Sequence, residues 1–183
     1  MQHVQSPSRF VSIGVALVGL TLCFPGLFTR VAAFGPAERL VSMMDGCDPQ
    51  TFNAVFGDGT CLRNGGVRLD DFLSLLGQHG SVGAWHFSPP TGQIEPGTTL
   101  VAVNRGGEVH TFTEVEEFGG GFIQLLNDLS GNPVPADECT HLEDDDFVPP
   151  GGTYTEQVAS NASGTIKVQC CIHPWMRFEA RIK

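Results

Sequence analysis

Residues 170–176 read Cys-Cys-Ile-His-Pro-Trp-Met, directly after the β-branched residues of a predicted strand. The segment contains a thiol, an imidazole and a thioether at the spacing Cys-x-x-His-x-x-Met. Thiolate and thioether ligands stabilise Cu(I), and imidazole binds copper in both oxidation states. Zinc accepts Cys and His but gains nothing from Met176, so the motif favours a copper site.

A single loop supplies only three ligands, and a second histidine must come from elsewhere in the chain. His110 is the natural candidate, because it lies one residue into a predicted strand after a Gly-Gly turn. Two other histidines are weaker candidates. His86 lies within an early strand, where an ordinary hydrogen-bonded histidine is commoner, and His141 lies beside acidic residues that suit a second surface metal site.

The chain from about Ser81 onward consists of short β-branched runs separated by Gly and Pro. Six strands are predicted, over residues 84–87, 98–103, 109–115, 153–159, 165–171 and 177–182. This pattern indicates an all-β domain, a β-sandwich with Greek-key connections. A long irregular insertion, residues 116–150, separates the third strand from the fourth, and loops of that length are commonly functional decoration or lids.

Residues 34–80 predict a small helical extension before the sandwich. Helical spacing is present in four apolar residues: Leu69, Phe72, Leu73 and Leu76. Gly77 is the predicted end of this helix. Asp-Gly pairs at 45–46 and 58–59 are interpreted as turns, because the alternating acids and terminal Glu of a calcium loop are absent.

The first 33 residues have the pattern of a signal peptide. Arg9 precedes an apolar run over residues 11–28, and Val31-Ala32-Ala33 supplies the small residues of a cleavage site. An uncleaved membrane anchor is the alternative, but Pro25 inside the run favours cleavage. We therefore expect a periplasmic or secreted protein.

Composition and charge exclude one class of partner. The 183 residues include 10 Lys and Arg against 20 Asp and Glu, for a net charge of −10. Cleavage after residue 33 removes two arginines and no acid, which leaves a net charge of −12. Because the chain has no basic run, binding to nucleic acid is not expected.

Five cysteines follow the signal peptide, and an odd number in an oxidising compartment leaves one thiol to explain. Two disulfides and one metal ligand account for all five, although a free or intermolecular thiol is an alternative. Cys47 and Cys61 are close in sequence, and a bridge between them would stabilise the fold by about 3 kcal/mol in the chain-entropy model.

Together the two ligand segments resemble the cupredoxins, the small blue copper proteins, and most of all amicyanin and plastocyanin. In the upstream segment His110 follows Asn104-Arg105 at six positions after the Asn, and in the downstream segment Pro174 follows His173 and Arg177 follows Met176. The resemblance implies a cupredoxin-like sandwich over residues 81–183 that binds one type 1 copper ion.

The same resemblance implies a role for each ligand. His110, Cys170 and His173 would form the trigonal set, with Met176 as the weak axial ligand. Thr111 stands where the family often has an Asn that ties the two ligand segments together. Neighbours on a strand point to opposite faces, so Cys171 should face away from the copper and pair with Cys139, by elimination among the remaining cysteines.

These observations predict a monomeric exported protein that carries single electrons by Cu(II)/Cu(I) cycling. We expect no enzyme activity and no small-molecule substrate, because the chain lacks the second histidine cluster of an oxygen- or nitrite-reducing copper centre. His173 is predicted to be the exposed exit for the electron, with Pro174 and Trp175 as an apolar docking patch beside it.

The acidic residues predict a basic redox partner, such as a cytochrome. They are concentrated in and near the insertion, and Asp144, Asp145 and Asp146 form the densest group. Two other functions stay open. One is a copper carrier or sequestering protein that uses the same ligands, and the other is a structural sandwich with a degenerate metal site.

Overall fold

The computed structural model describes residues 37–183, and the predicted signal peptide lies outside them. The strands are β1 (Glu38–Met44), β2 (His86–Ser88), β3 (Thr91–Ile94), β4 (Thr99–Asn104), β5 (His110–Thr111), β6 (Thr113–Val115), β7 (Phe147–Val148), β8 (Thr153–Gln157), β9 (Thr165–Gln169) and β10 (Arg177–Ile182). The helices are α1 (Pro49–Phe56), α2 (Leu69–His79) and α3 (Gln124–Leu129). None of these helices has the length and apolar character needed to cross a bilayer.

Two four-stranded sheets form the body of the protein. Their strand orders are β2-β1-β4-β8 and β3-β10-β9-β6, and β5 pairs with β7 as a separate short ribbon. Alternate residues are buried along β4 and along β10, as expected when one face of each strand lies on the core. Leu100 of β4 and Phe178 of β10 belong to one continuous apolar cluster, so the predicted β-sandwich is confirmed.

The N-terminal segment is part of the sandwich rather than an appendage to it. Strand β1 pairs in parallel with β4, where Val41 lies opposite Ala102, and antiparallel with β2, where Met43 lies opposite Phe87. Residues 37–183 consequently form one compact unit. The sequence-based boundary between residues 80 and 81 therefore does not separate two structural parts.

Helices α1 and α2 follow β1 and have well-defined ends. Asp48 caps α1, because its carboxylate accepts the backbone N–H of Thr51 at 3.1 Å, and Pro49 occupies the first turn. The predicted helix α2 is present, but it ends at Gly80 rather than at Gly77. Gly80 has φ = 68°, a left-handed conformation that suits glycine, and its N–H bonds to the carbonyl of Leu76 at 2.8 Å.

The insertion over residues 116–150 is ordered around the C-terminal ligand segment. It contains α3, two short 3-10 turns and β7. The disulfide between Cys139 and Cys171 joins it to residue 171, with Cα atoms 5.3 Å apart, and Phe122 N–H donates to the carbonyl of Cys171 at 2.9 Å. The other predicted disulfide, between Cys47 and Cys61, is also present, and Cys170 is a buried free thiol.

Candidate metal centre

Three of the four predicted ligands meet in the interior of the sandwich. Sγ of Cys170 lies 3.8 Å from Nδ1 of His110 and 3.9 Å from Nδ1 of His173. The donor atoms of all three residues lie within 4.8 Å of one another, and all three residues are buried. The structure thus places two imidazole nitrogens and one thiol around a common centre.

These separations fit a shared metal ion. Bond lengths of about 2.0 Å to nitrogen and about 2.3 Å to sulfur hold two donors about 3.5 to 3.7 Å apart. The observed distances of 3.8 and 3.9 Å are close to that range. A thiolate with two imidazoles is a donor set that copper accepts in both oxidation states, so the residues present fit the copper ion that the sequence implies.

The ligand loop after β9 is closed by its own backbone. The N–H of Cys170 donates to the carbonyl of Met176 at 3.0 Å, and the N–H of Met176 donates to the carbonyl of His173 at 2.9 Å. These two bonds fold residues 170–176 into a tight turn whose ends meet. Met176 is fully buried in the same apolar cluster as Cys170. The fourth predicted ligand therefore lies in the core at the end of the loop.

A carboxylate that the sequence analysis did not assign to the site holds His110 in place. Oδ2 of Asp45 lies 2.9 Å from Nε2 of His110, and the Asp45 side chain is only 1% exposed. The same carboxylate accepts the backbone N–H groups of Gly107 and Glu108, each at 2.9 Å. Because an ionised carboxylate only accepts hydrogen bonds, it keeps the proton on Nε2 and leaves Nδ1 of His110 free for a metal ion.

The electrostatics of the metal-free site favour charged forms despite burial. Burial opposes ionisation of Cys170, but the bonds to His110 and His173 hold the pKa of its thiol well below the ordinary value. Burial likewise disfavours the charged form of His110, but the bonds to Asp45 and Cys170 raise the pKa of His110 to about 9. For Asp45, burial raises the pKa, and the His110 and backbone bonds outweigh it and lower the pKa. The thiol is thus prepared to bind a cation.

Asn104 and Thr111 position the strand that bears His110. The amide of Asn104 donates to the carbonyls of Glu108 and Val148 at 2.7 and 2.8 Å, which fixes the turn before His110. The hydroxyl of Thr111 accepts the N–H of Cys171 at 2.8 Å, and the N–H of Thr111 donates to Sγ of Cys170 at 3.4 Å. Thr111 therefore ties the two ligand segments together.

His173 is not the exposed ligand that the sequence predicted. It is only 3% exposed, because the N-terminal helices and the loop before β2 cover it. The rings of Phe72, Trp85 and Trp175 lie 6.4, 6.3 and 5.4 Å from the imidazole ring, measured between ring centroids. The extension that the sequence left without a function thus forms the cover of the metal centre.

The predicted apolar docking patch is also different in the structure. Pro174 is buried, and Trp175 is half-buried with its ring 5.9 Å from that of Phe72, so neither forms a free surface around an exposed ligand. Asp144 and Asp145 are exposed and Asp146 is half-buried, as expected for an acidic surface segment. His86 and His141 are both exposed and lie outside the donor cluster.

A second acid, Glu108, was missed together with Asp45. Its Oε2 accepts the indole N–H of Trp85 at 2.6 Å and lies 3.7 Å from Nε2 of His173. Burial raises the pKa of Glu108, and the proximity of His173 and the Trp85 bond oppose that shift only in part. The one available signal for Glu108 was its place two residues before His110. The signal for Asp45 was the Asp-Gly pair at residues 45 and 46, which the sequence analysis interpreted only as a turn.

Comparison with known proteins finds similarity to solved structures. No protein-family profile and no curated protein matches the chain. A novel purple cupredoxin from Nitrosopumilus maritimus is 14% identical, with a TM-score of 0.43 and coverage of 79% of this chain and 98% of that one. Oxidised plastocyanin from Dryopteris crassirhizoma is 13% identical, with a TM-score of 0.41 and coverage of 79% and 100%. An amicyanin variant in the Cu(I) state is 15% identical, with a TM-score of 0.34 and coverage of 54% and 73%. All three are cupredoxins, the family that the sequence resembles.

Proposed function

We propose that this chain is an exported type 1 copper protein that carries single electrons between redox partners. One observation supports this above all others. A buried free thiol, Cys170, lies between Nδ1 atoms of His110 and His173 at 3.8 and 3.9 Å. Within residues 37–183, where four other cysteines form two disulfides, a thiol kept unpaired between two imidazoles is best explained as a metal ligand.

Copper bound there would take up and release one electron as it changes between Cu(II) and Cu(I). The chain's own part is to hold the donors still. Asp45 fixes the ring of His110, Thr111 ties Cys171 to the neighbouring strand, and the backbone of Met176 closes the loop. Little rearrangement of the donors accompanies a change of charge when each is held in this way.

An electron would leave through the aromatic cover rather than from an exposed histidine. Trp175 is half-buried, and its ring centroid lies 5.4 Å from that of His173, so it links the buried ligand to the surface. The acidic segment Asp144–Asp146 directly precedes β7, which pairs with the strand of His110. This connection supports a docking face of negative charge for a basic partner protein near the metal centre.

The visible spectrum of the copper-loaded protein tests the proposal. We expect an intense blue band and a reversible one-electron wave in voltammetry. Cys170→Ser should abolish the band, because the transition needs a thiolate bonded to copper. The matched control is the double variant Cys139→Ser/Cys171→Ser, which loses a disulfide but keeps Cys170 and should keep the band. A band that depends on Cys171 instead would contradict the assignment.

Two other outcomes would point to the alternative functions. Fast loss of copper to an added chelator would favour a copper carrier, since an electron carrier must retain its metal through many cycles. Absence of copper uptake by the folded protein would favour a structural sandwich with a degenerate site. The buried position of all three donors argues for retention.

A further inference from the structure

A cavity of about 360 Å³ lies beside the metal centre and opens between the N-terminal helices and the insertion. Phe52 and Phe72 line it from α1 and α2, Ile123 and Leu126 line it from the insertion, and Ile172 comes from the ligand loop. Ten of its thirteen lining residues are apolar. This volume and this lining are typical of a site for a small organic molecule, for which pockets of about 300 to 1,000 Å³ are usual.

Two polar groups meet in the wall of this cavity, and both have unused hydrogen-bonding capacity. Oε2 of Glu108 accepts the indole N–H of Trp85, whereas no group within residues 37–183 donates to Oε1. Nε2 of His173 lies 3.7 Å from Oε2 of Glu108, which is too long for a hydrogen bond. Nδ1 of His173 faces Cys170, so Nε2 is the ring nitrogen that is free to contact a ligand in the cavity.

A carboxyl group and an imidazole nitrogen thus lie side by side in the wall of an apolar cavity. A hydroxyl group matches this pair, because its single oxygen both donates and accepts a hydrogen bond and so suits either protonation state of the two side chains. An ionised carboxylate, phosphate or ammonium group would lose its hydration among the apolar walls.

We propose that this cavity binds a small phenol or a related aromatic alcohol. The hydroxyl group lies between Glu108 and His173, and the ring lies against Phe52 and Phe72. Phe56 and Leu125 flank the entrance and are 60% and 59% exposed, so the ligand has an apolar route into the site. This binding goes beyond the electron-transfer proposal and needs no copper, although the sequence analysis expected no small-molecule substrate.

Titration of the metal-free protein with 4-ethylphenol tests the proposal, with calorimetry and NMR of the indole N–H groups as readouts. The chain has two tryptophans, so each indole signal can be assigned, and the Trp85 signal should shift because its acceptor also receives the ligand hydroxyl. 4-Ethylanisole keeps the ring and the acceptor but lacks the donor. It should bind about 10- to 100-fold more weakly, since the hydrogen bond between the hydroxyl and Glu108 is lost.

Two substitutions on one helix distinguish this cavity from other apolar surfaces. Leu73→Phe places a larger side chain in the cavity wall and should abolish binding of 4-ethylphenol. Leu75→Phe makes the same change at a 38% exposed position of α2 outside the cavity and should leave binding unchanged. Equal affinity for phenol and ether, an unshifted Trp85 signal, or binding that survives Leu73→Phe would overturn the proposal. Because no copper is added, failure of copper uptake would leave these results interpretable.

Discussion

Asp45 and His110 are joined by a 2.9 Å contact between Oδ2 and Nε2, although 65 residues separate them in sequence. Asp45 follows β1 at the N-terminal side of the molecule, whereas His110 begins β5. The carboxylate is held in turn by backbone N–H groups of residues 107 and 108. His110 is therefore oriented by a residue from the segment that sequence analysis placed outside the copper-binding domain.

Replacing Asp45 with Asn should weaken copper binding. Asn can present its NH2 group to Nε2. The proton of His110 is then no longer held on Nε2 and can move to Nδ1, the nitrogen that would bind the metal. We expect about a 10- to 100-fold loss of copper affinity, the usual cost of losing an outer-shell partner, together with a change in the visible band. Competition with a chelator measures the affinity.

Asp48→Asn is the matched control for that experiment. Asp48 caps α1 through Thr51, and Asn is an equally good N-cap, so neither stability nor copper affinity should change. If the Asp45→Asn variant has the same copper affinity as the Asp48→Asn variant, Asp45 does not orient His110.

The contribution of His110 to the stability of the metal-free protein should be lost as the pH rises from about 6.5 through about 9. The pKa of His110 is raised to about 9 from 6.5, so its contribution to stability is complete below 6.5 and is lost as the pH passes about 9. Cys170 has the opposite shift, and its contribution grows as the pH rises to the ordinary thiol pKa of 9.0. The two effects oppose each other over this range, so the loss from His110 is measured as the difference between the wild-type protein and a variant without the His110 ring.

Urea unfolding at several pH values between 7 and 10 checks this expectation. His110→Gln has no ring to titrate, so its unfolding midpoint should vary less across the upper part of the range. An equal decline in both proteins would assign the effect to other groups.

Replacing Phe72 with Ala should destabilise the protein strongly. Phe72 is 3% exposed, and its ring lies within 6.4 Å of those of Phe52, Trp85, Trp175 and His173. Loss of a buried phenylalanine ring costs about 3 to 5 kcal/mol in unfolding free energy. Phe56→Ala removes the same ring from a 60% exposed position nearby and should cost about 0.5 kcal/mol or less. Chemical denaturation measures both, and similar losses would mean that the cover of His173 is loosely packed.

Electron exchange with a basic cytochrome should slow as ionic strength rises. Asp144 and Asp145 are exposed and Asp146 is half-buried, and surface charges of this kind are screened beyond about 8 Å at physiological salt. Replacing Asp144, Asp145 and Asp146 with Asn should flatten the salt dependence and leave the visible spectrum unchanged. Stopped-flow rates at a series of salt concentrations measure it. A wild-type electron-exchange rate that does not change with salt concentration, or that rises with it, would mean that the acidic residues only increase solubility.

The ligand motif was readable from sequence because it is local. Residues 170–176 carry three of the four predicted ligands within one turn, and the strand pattern after residue 81 follows from short-range alternation. The first disulfide followed from proximity in sequence, and the second followed by elimination among the remaining cysteines. The ligand loop and the Cys47–Cys61 disulfide depend on neighbours along the chain, and the structure contains both. It divides the predicted strand 109–115 into β5 and β6 and adds β3, which the sequence analysis did not predict.

The cover of the site was not readable because it depends on long-range contacts. Strand β1 has only Val41 and Met43 as fully buried apolar residues, too weak a pattern to predict a central strand. His173 has the same local sequence whether exposed or covered, and only the packing of Phe72 and Trp85 against it decides the outcome. Asp45 likewise has an ordinary turn sequence, and its partner lies 65 residues away.

The parallel pairing of β1 with β4 also has a consequence for the order of folding. It joins Glu38 to Thr99, and the donor cluster then requires Cys170 to come within reach of His110, 60 residues earlier. Contacts between residues so far apart in sequence cost loop-closure entropy before any interaction energy is gained. They therefore form late and slowly. The donors are therefore brought together only after the first strand and the last loop have both docked. Metal binding is therefore expected to occur after folding is complete, and not to nucleate folding.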